Sequence, residues 1–189
     1  MKGVYLFLAE GFEEIEALTT VDILRRGGVD VRTVSVKGGK VVTGAHSIPV
    51  TADLDREAFE AEAGQDEVKA MVFPGGMPGT RNLAEDKDLM DRMKKHFNQN
   101  GLVAAICAAP GLVLSQVRSL EGIRFTCYDG FEQGPMSKGG IYTGEPAEVD
   151  CNVVTGRGPG CAVDFALALL AELEGQDRAV EVADGLLIA

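Results

Sequence analysis

A cysteine lies where an apolar segment gives way to small residues. Cys107 directly follows the apolar run 102–106 and precedes the sequence Ala-Ala-Pro-Gly at 108–111. This pattern predicts a buried strand that turns into a helix, and such a turn projects a side chain from a sheet edge toward helix N–H groups, which favour thiolate. We therefore predict that Cys107 is a nucleophile whose pKa lies well below the ordinary value of about 8.5. The alternative is a small buried hydrophobic residue, because free cysteines are often buried.

Two other segments carry groups that could assist a thiol. Glu13, Glu14 and Glu16 follow the first apolar segment, and the pair Gly75 and Gly76 follows another. Glycines after a strand let backbone N–H groups approach a reacting oxygen and form an oxyanion hole, although a glycine pair alone is only a turn signal. An ionised glutamate would repel a thiolate, so a glutamate beside the sulfur is expected to keep its proton, donate a hydrogen bond and pass the proton to a substrate.

These segments need a scaffold that brings strand ends together. Apolar strands alternate with helical patterns along the chain, which indicates an α/β fold with a parallel, doubly wound sheet. Ligands bind beyond the carboxyl ends of strands in such sheets, so the three segments are expected to converge there. The predicted strands are 4–9, 29–36, 68–73, 102–106 and 151–155, and the predicted helices are 13–26, 86–98, 109–117 and 161–173.

The composition excludes several classes of protein. The chain has 189 residues, enough for a single domain over 1–189, and its net charge of −11 disfavours binding to nucleic acid or anionic membranes. No segment reaches the length of a membrane span and the N-terminus does not resemble a signal peptide, so a cytoplasmic location is expected. The cysteines form no Cys-x-x-Cys pair, which argues against disulfides and structural zinc. Cys151 is expected in the core, at the start of a strand.

Short motifs spread over nearly the whole chain occur together in a distinctive order. They are Glu10-Gly-Phe-Glu-Glu-Ile-Glu16, Val21–Arg26, Phe73-Pro-Gly-Gly76, Asn82-Leu83, Ala105-Ile-Cys-Ala-Ala-Pro110, and Thr155-Gly-Arg-Gly-Pro-Gly160 with Asp164–Ala168. In this combination the chain resembles the DJ-1/PfpI (ThiJ) superfamily and, within it, the DJ-1/ThiJ-like branch. The resemblance implies a flavodoxin-like three-layer sandwich of the class I glutamine amidotransferase-like type, a homodimer, and no metal or organic cofactor.

The resemblance also implies roles for the three segments. Glu16 falls on the family's protonated glutamate, Cys107 on its nucleophile and redox cysteine, and Gly75 and Gly76 on its oxyanion-side glycines. The implied activity is hydrolysis of glyoxal-derived adducts on proteins or nucleotides (deglycase) or cofactor-free glyoxalase chemistry, in oxidative and carbonyl stress. The expected substrate is therefore a small aldehyde or a glycated compound.

Other functions of the family stay open as alternatives. One is a redox-responsive chaperone or sensor in which Cys107 is oxidised to sulfinate. Others are an enzyme of thiamine-precursor biosynthesis and a PfpI-type protease. The protease is disfavoured because protease-like members place a histidine directly after the nucleophilic cysteine, where this chain has Ala108.

Five further residues are candidates for binding substrate or supporting the site. His46 lies where DJ-1-like members carry a polar residue, although an exposed loop histidine is the alternative. Cys127 or Tyr128 takes the position from which several relatives present a histidine, so Cys127 could be a second redox thiol. Arg26 and Arg157 adjoin glycine turns in the matched motifs and could orient an anionic substrate or close a dimer; a structural ion pair is the alternative.

Overall fold

Helices form where apolar residues recur at three- and four-residue spacing. The computed structural model describes residues 3–63 and 68–188. In the helix 87–98, for example, Leu89, Met90 and Met93 are buried while the opposite face is polar. None of the helices in the described ranges is both long and apolar enough to cross a membrane. The helices are α1 (Glu14–Arg26), α2 (Arg56–Ala63), α3 (Gly79–Glu85), α4 (Lys87–Asn98), α5 (Ala109–Leu112), α6 (Gln133–Met136), α7 (Ala162–Glu174) and α8 (Gln176–Gly185), with 3-10 turns at Leu114–Gln116 and Pro159–Cys161.

Six strands form the central sheet, in the spatial order β2-β1-β5-β6-β10-β9. The strands of the protein are β1 (Gly3–Leu8), β2 (Val31–Ser35), β3 (Val41–Thr43), β4 (Pro49–Thr51), β5 (Val68–Phe73), β6 (Leu102–Ile106), β7 (Arg124–Phe125), β8 (Ile141–Tyr142), β9 (Ala147–Asp150) and β10 (Val153–Gly156). All neighbours in this sheet pair in parallel except β9 and β10. The chain runs outward from β1 to β2 and then returns to the other side of β1 as β5. A crevice therefore opens beyond the carboxyl ends of β1 and β5, where ligands bind in doubly wound sheets.

Hydrophobic residues cover both faces of this sheet. Alternate residues of β1 point to opposite faces: Leu6 and Leu8 join the core cluster that includes α1 and α7, whereas Tyr5 and Phe7 join the cluster that includes α2 and α4. On the second face, the Phe7 ring lies 5.1 Å from the ring of Phe59 in α2. Helices, sheet and helices thus form three layers, which confirms the predicted flavodoxin-like sandwich.

Two of the strands that lead into the site have the predicted bounds. The predictions 68–73 and 102–106 coincide with β5 and β6. The predicted helix 109–117 is divided into α5 and a 3-10 turn. Gly111 lowers the helix propensity there, and the Ser115 hydroxyl donates to its carbonyl at 2.6 Å, a side-chain bond that bends helices.

The prediction that Cys151 lies in the core is wrong. Cys151 is exposed in the turn between β9 and β10, where its φ is 53°. The short strand β9 was not predicted, because only one of its four residues, Val149, is a strong strand former. Its antiparallel pairing with β10 requires a tight turn at Cys151, and the turn moves this side chain out of the sheet.

Candidate active site

Cys107 follows β6 in a strained turn. Its φ of 66° lies in the left-handed region that residues other than glycine rarely adopt. The Cys107 N–H donates to the carbonyl of Gly156 at 2.9 Å, which ties the turn to the end of β10. Because α5 begins only at Ala109, the geometry is the predicted strand-to-helix turn, and the thiol is buried within it.

Gly75 lies between Cys107 and the segment that carries the glutamates. Its N–H donates to Glu16 Oε2 at 2.7 Å, and its carbonyl accepts from the Glu13 N–H at 2.9 Å. A Cβ at position 75 would lie 2.6 Å from Glu16 Oε2 and 2.9 Å from Cys107 Sγ. Only glycine fits between this carboxyl and the thiol, and the three predicted segments do converge at the crevice.

The hydrogen bond to Glu16 changes the role expected for Gly75. Because its N–H is already donated to Glu16, it does not face a reacting oxygen as predicted. The N–H groups that face the sulfur belong to Gly76 and Ala108, and both favour the thiolate. Gly76 has a φ of 90°, which glycine alone adopts without strain. Ala108 was not predicted as a donor, although the residue after a nucleophile at such a turn is a usual source of an oxyanion-hole N–H.

Glu16 and Cys107 form a coupled pair of buried acids. Burial raises the pKa of Glu16 to about 7, while the hydrogen bond from Gly75 and the interaction with Cys107 oppose the rise. Burial also raises the pKa of Cys107 to about 12, and the Glu16 charge adds to this effect. The prediction of a low pKa for Cys107 rests on helix N–H groups and on a hydrogen bond from a neutral Glu16. It does not count burial, which together with the charge of an ionised Glu16 raises this pKa instead. Near neutral pH the pair carries at most one negative charge.

One oxygen of Glu16 is left free to exchange a proton. Oε2 is held by Gly75, whereas Oε1 is buried and has no hydrogen-bond partner in the described part of the chain. A carboxyl with a pKa of about 7 is close to the ideal for transferring protons at neutral pH. The Glu16 carboxyl interacts with the Cys107 thiol strongly enough to shift its pKa, so the two groups can exchange a proton directly.

Glu13 and Glu14 form a second acidic group beside this pair. Both side chains are more than nine-tenths buried. Burial opposes ionisation of Glu14, but hydrogen bonds from the His46 ring and backbone outweigh it and lower the pKa of Glu14. His46 Nδ1 lies 2.8 Å from Glu14 Oε2 and 3.6 Å from Glu13 Oε2, and the hydrogen bond to Glu14 raises the pKa of His46. His46 therefore acts on these glutamates from an exposed position and not on the sulfur.

The same three side chains are the ones that could hold a metal ion. Among the described residues, Glu13, Glu14 and His46 bring one potential ligand atom each within 4.8 Å of one another. The sequence predicts no metal, and the close hydrogen bonds between His46 and Glu14 already satisfy part of this group. We assign the group no metal.

The segment that carries Cys127 and Tyr128 contacts both Cys107 and Arg157. The Tyr128 N–H donates to the Cys107 carbonyl at 2.9 Å, while its ring is about half exposed. Cys127 is buried, and burial, followed by the charges of Glu132 and Asp129, raises its pKa to about 12. Arg157 donates to Asp129 at 2.9 Å, so the ion-pair alternative describes it.

Arg26 is engaged away from these segments. Its side chain forms an ion pair with Asp22 at 2.7 Å on the exposed face of α1. Its carbonyl accepts from Arg178 in α8 at 3.0 Å. The ion-pair alternative therefore also describes Arg26, and a role in substrate binding stays a prediction.

Replacing Gly75 by alanine is expected to destabilise the protein by roughly 1–3 kcal/mol, because the added Cβ overlaps Glu16 and Cys107 in a packed interior. Thermal unfolding with and without the substitution measures the effect. Gly160→Ala is the matched control, since nothing lies within 4 Å of a Cβ built there. Equal melting temperatures for Gly75→Ala and Gly160→Ala would contradict the tight packing described above.

Known proteins are similar to this chain in sequence and in fold. A family model described as the DJ-1/PfpI family matches residues 2–172. Protein dj-1beta of Drosophila melanogaster is 32% identical over 188 residues, covering 100% of this chain and 98% of that protein. The glutathione-independent glyoxalase DJR-1.2 of Caenorhabditis elegans is 32% identical over 181 residues, covering 93% and 90%. The structure of oxidised Toxoplasma gondii DJ-1 matches with a TM-score of 0.90 and 33% identity, covering 100% of both chains.

Proposed function

The chain belongs to the DJ-1/PfpI family, and from that premise we propose that it is a cysteine-dependent, cofactor-free enzyme acting on glyoxals or glyoxal-derived adducts. The observation that carries this proposal is the environment of Glu16: Gly75 holds Oε2, the carboxyl interacts with the Cys107 thiol, and Oε1 is buried without a hydrogen-bond partner among the described residues. The name of the Caenorhabditis elegans relative supports the same chemistry. The proposed location of the enzyme is the cytoplasm, and its proposed role is in carbonyl stress.

The reaction begins with addition of Cys107 to the aldehyde carbon. As Sγ bonds to this carbon, the thiol proton passes to Glu16, and the carbonyl electron pair moves to oxygen. The N–H groups of Gly76 and Ala108 face the sulfur and therefore lie where they can stabilise that oxyanion. Protonation of the oxyanion gives a hemithioacetal on Cys107.

The second half of the reaction moves hydrogen within the substrate. Glu16 takes the proton from the former aldehyde carbon and returns a proton to the neighbouring carbon. The former aldehyde carbon is thereby oxidised to a thioester, and the neighbouring carbon is reduced to an alcohol. Water then cleaves the thioester and restores the thiol. The sum is methylglyoxal plus water giving lactate, or glyoxal plus water giving glycolate, and no external oxidant or reductant is consumed. In an aminocarbinol adduct, the amine leaves with a proton when the carbon–sulfur bond forms.

A second candidate function uses the same sulfur. In a redox sensor, two molecules of hydrogen peroxide would oxidise Cys107 first to sulfenic and then to sulfinic acid, releasing one water each. The two N–H groups and the proton-bearing Glu16 beside the sulfur favour this candidate, because they can bind sulfinate oxygens. The oxidised state of the similar Toxoplasma gondii structure also supports it.

Protease chemistry is the least supported alternative. It needs a histidine to protonate the leaving amine. His46 interacts with Glu14, and the Nε2 atom of His96 lies 3.1 Å from the carbonyl of Leu102, at the opposite end of β6 from Cys107. Neither imidazole is placed beside the thiol.

A second copy of the chain is the proposed protein partner. Ile15 and Leu18 of α1 are large apolar residues that remain exposed, with 55% and 39% of their surface accessible. Val41 and Ile48 are similarly exposed on the hairpin segment that follows β2. Such a surface beside the first turn of α1 suits a homodimer, as the family resemblance implies.

The purified protein, in buffer with a chelator, is expected to convert methylglyoxal to lactate and glyoxal to glycolate, because a thiol, an oxyanion hole and a proton carrier suffice for this reaction. Product formation is followed by proton NMR, with an equal concentration of heat-denatured protein as the control. A rate no higher than that control would refute the enzymatic proposal. Stoichiometric oxidation of Cys107 by low peroxide concentrations would then favour the sensor.

A further inference from the structure

The segment that carries Glu16 has two further buried acidic side chains, Glu13 and Glu14. We propose that Glu13 and Glu14 are specificity-determining residues that make the site prefer cationic carbonyl compounds, such as those carrying a guanidinium or ammonium group, over anionic ones. This inference rests on the proposed function for its substrate chemistry, but its electrostatic basis can be tested on Cys107 directly.

The backbone of Glu13 is fixed next to the reacting atoms. Its N–H donates to the Gly75 carbonyl at 2.9 Å, and a Cβ on Gly76 would overlap the same nitrogen. Glu13 therefore adjoins one of the two N–H donors that face the sulfur. The charge of Glu13 also acts on the catalytic carboxyl, because it is one of the influences that raise the pKa of Glu16.

Burial makes these charges effective. The Glu13 and Glu14 side chains are only 9% and 6% exposed. Water therefore screens their field less than the field of surface carboxylates. Glu14 keeps its charge because its pKa is lowered by its hydrogen bonds.

The positive charges nearby do not balance this group. His46 is shared between Glu13 and Glu14, so even a protonated His46 leaves one net negative charge. Arg157 is paired with Asp129. At Cys127, burial and the negative charges of Glu132 and Asp129 raise the pKa of the thiol, and the positive charge of Arg157 opposes them.

A negative field of this kind acts on any charged compound that approaches the sulfur. It raises the local concentration of cations and lowers that of anions, so the effect appears mainly in KM or in a second-order rate constant. A preference of roughly tenfold or more between otherwise matched cationic and anionic compounds is expected at low ionic strength. Added salt is expected to reduce it.

The test uses methanethiosulfonate reagents that differ in charge: the trimethylammonioethyl, sulfonatoethyl and neutral methyl compounds. In each case the cysteine sulfur displaces methanesulfinate and forms a disulfide with the reagent's alkylthio group, the thiol proton being released to the buffer. Peptide mass spectrometry follows the rate at Cys107. After division by the rates with free cysteine, the cationic reagent is expected to react roughly tenfold or more faster than the anionic one. Glu13→Gln and Glu14→Gln, which keep a hydrogen-bond acceptor, are each expected to reduce this ratio severalfold.

Asp88→Asn is the matched control, because it removes one exposed carboxylate from α4 and should leave the ratio unchanged. A wild-type ratio near one, or ratios that the two glutamine variants do not change, would overturn the inference while leaving the enzymatic proposal untouched. Phenylglyoxals with trimethylammonio, hydrogen or carboxylate substituents at the para position then test turnover. Failure of all three as substrates would count against the enzyme, whereas the reagent ratio at Cys107 would still decide the charge preference.

Discussion

Replacing Cys107 by serine is expected to reduce the turnover of methylglyoxal at least about a thousandfold, to the level of background. The hydroxyl of serine holds its proton far more tightly than a thiol, and the thiol of Cys107 already has a pKa of about 12. An oxygen ester would also have to replace the thioester, and it hydrolyses more slowly. The side chain is nearly isosteric, so the effect should come from chemistry and not from packing. Lactate production by the two proteins under identical conditions measures it.

The other cysteines supply the controls for this experiment. Cys151 is exposed beyond the opposite edge of the sheet and Cys161 lies in a 3-10 turn before α7, so Cys151→Ser and Cys161→Ser should keep the wild-type rate. Retention of that rate by Cys107→Ser would show that the observed turnover does not depend on this thiol. Loss in all three variants would point to a general effect on folding, which circular dichroism would reveal.

Much of the position of this thiol could be predicted from the sequence. The run 102–106 is apolar and ends at Cys107, and that local pattern is enough to place a strand and a turn. The run 68–73 gives the same kind of signal before Gly75. Once both strands are assigned to one parallel sheet, their carboxyl ends must meet at the same edge, and the structure places them there.

The electrostatics of the site could not be predicted in the same way. The pKa of Cys107 depends on how much water reaches the sulfur and on the charge of Glu16, which lies far away along the chain. The assignment of Gly75 to an oxyanion hole failed for a similar reason, because the sequence does not show that Glu16 takes its N–H. Local patterns determine where a backbone turns, whereas pKa values and donor assignments depend on tertiary contacts.

The contacts of His46 also could not be predicted from the sequence. The family resemblance predicts a polar residue near the site at this position, and His46 Nδ1 lies 2.8 Å from Glu14 Oε2. Its partners, however, are Glu13 and Glu14, which the pattern of residues alone does not distinguish from Glu16. The three glutamates lie within four positions of the chain, yet helical geometry directs Glu16 to the thiol and Glu14 to the His46 loop.

Replacing Glu16 by glutamine is expected to separate the two effects of this carboxyl on Cys107. Turnover should fall at least about a hundredfold, because an amide cannot carry a proton between substrate carbons. The pKa of Cys107 should nevertheless decrease from about 12, because the negative charge that opposes thiolate formation is removed while the N–H groups of Gly76 and Ala108 remain. The reaction rate of Cys107 with iodoacetamide as a function of pH measures this pKa, and lactate production measures turnover.

Glu16→Asp is the matched control, since it keeps the charge and shortens the side chain, and its thiol pKa should stay well above the ordinary value. The pH dependence of stability shows whether the variant folds. Because burial raises the pKa of Glu16 from 4.5 to about 7, the free energy of unfolding of the wild type decreases as pH rises through this interval, whereas that of Glu16→Gln should not. The glutamine variant should therefore unfold at no lower a temperature than the wild type at pH 8. A variant that is stable, slow in turnover and more readily alkylated at Cys107 has lost a proton carrier but kept a nucleophile. An unchanged or higher thiol pKa would mean that burial alone, and not the charge of Glu16, keeps this thiol protonated.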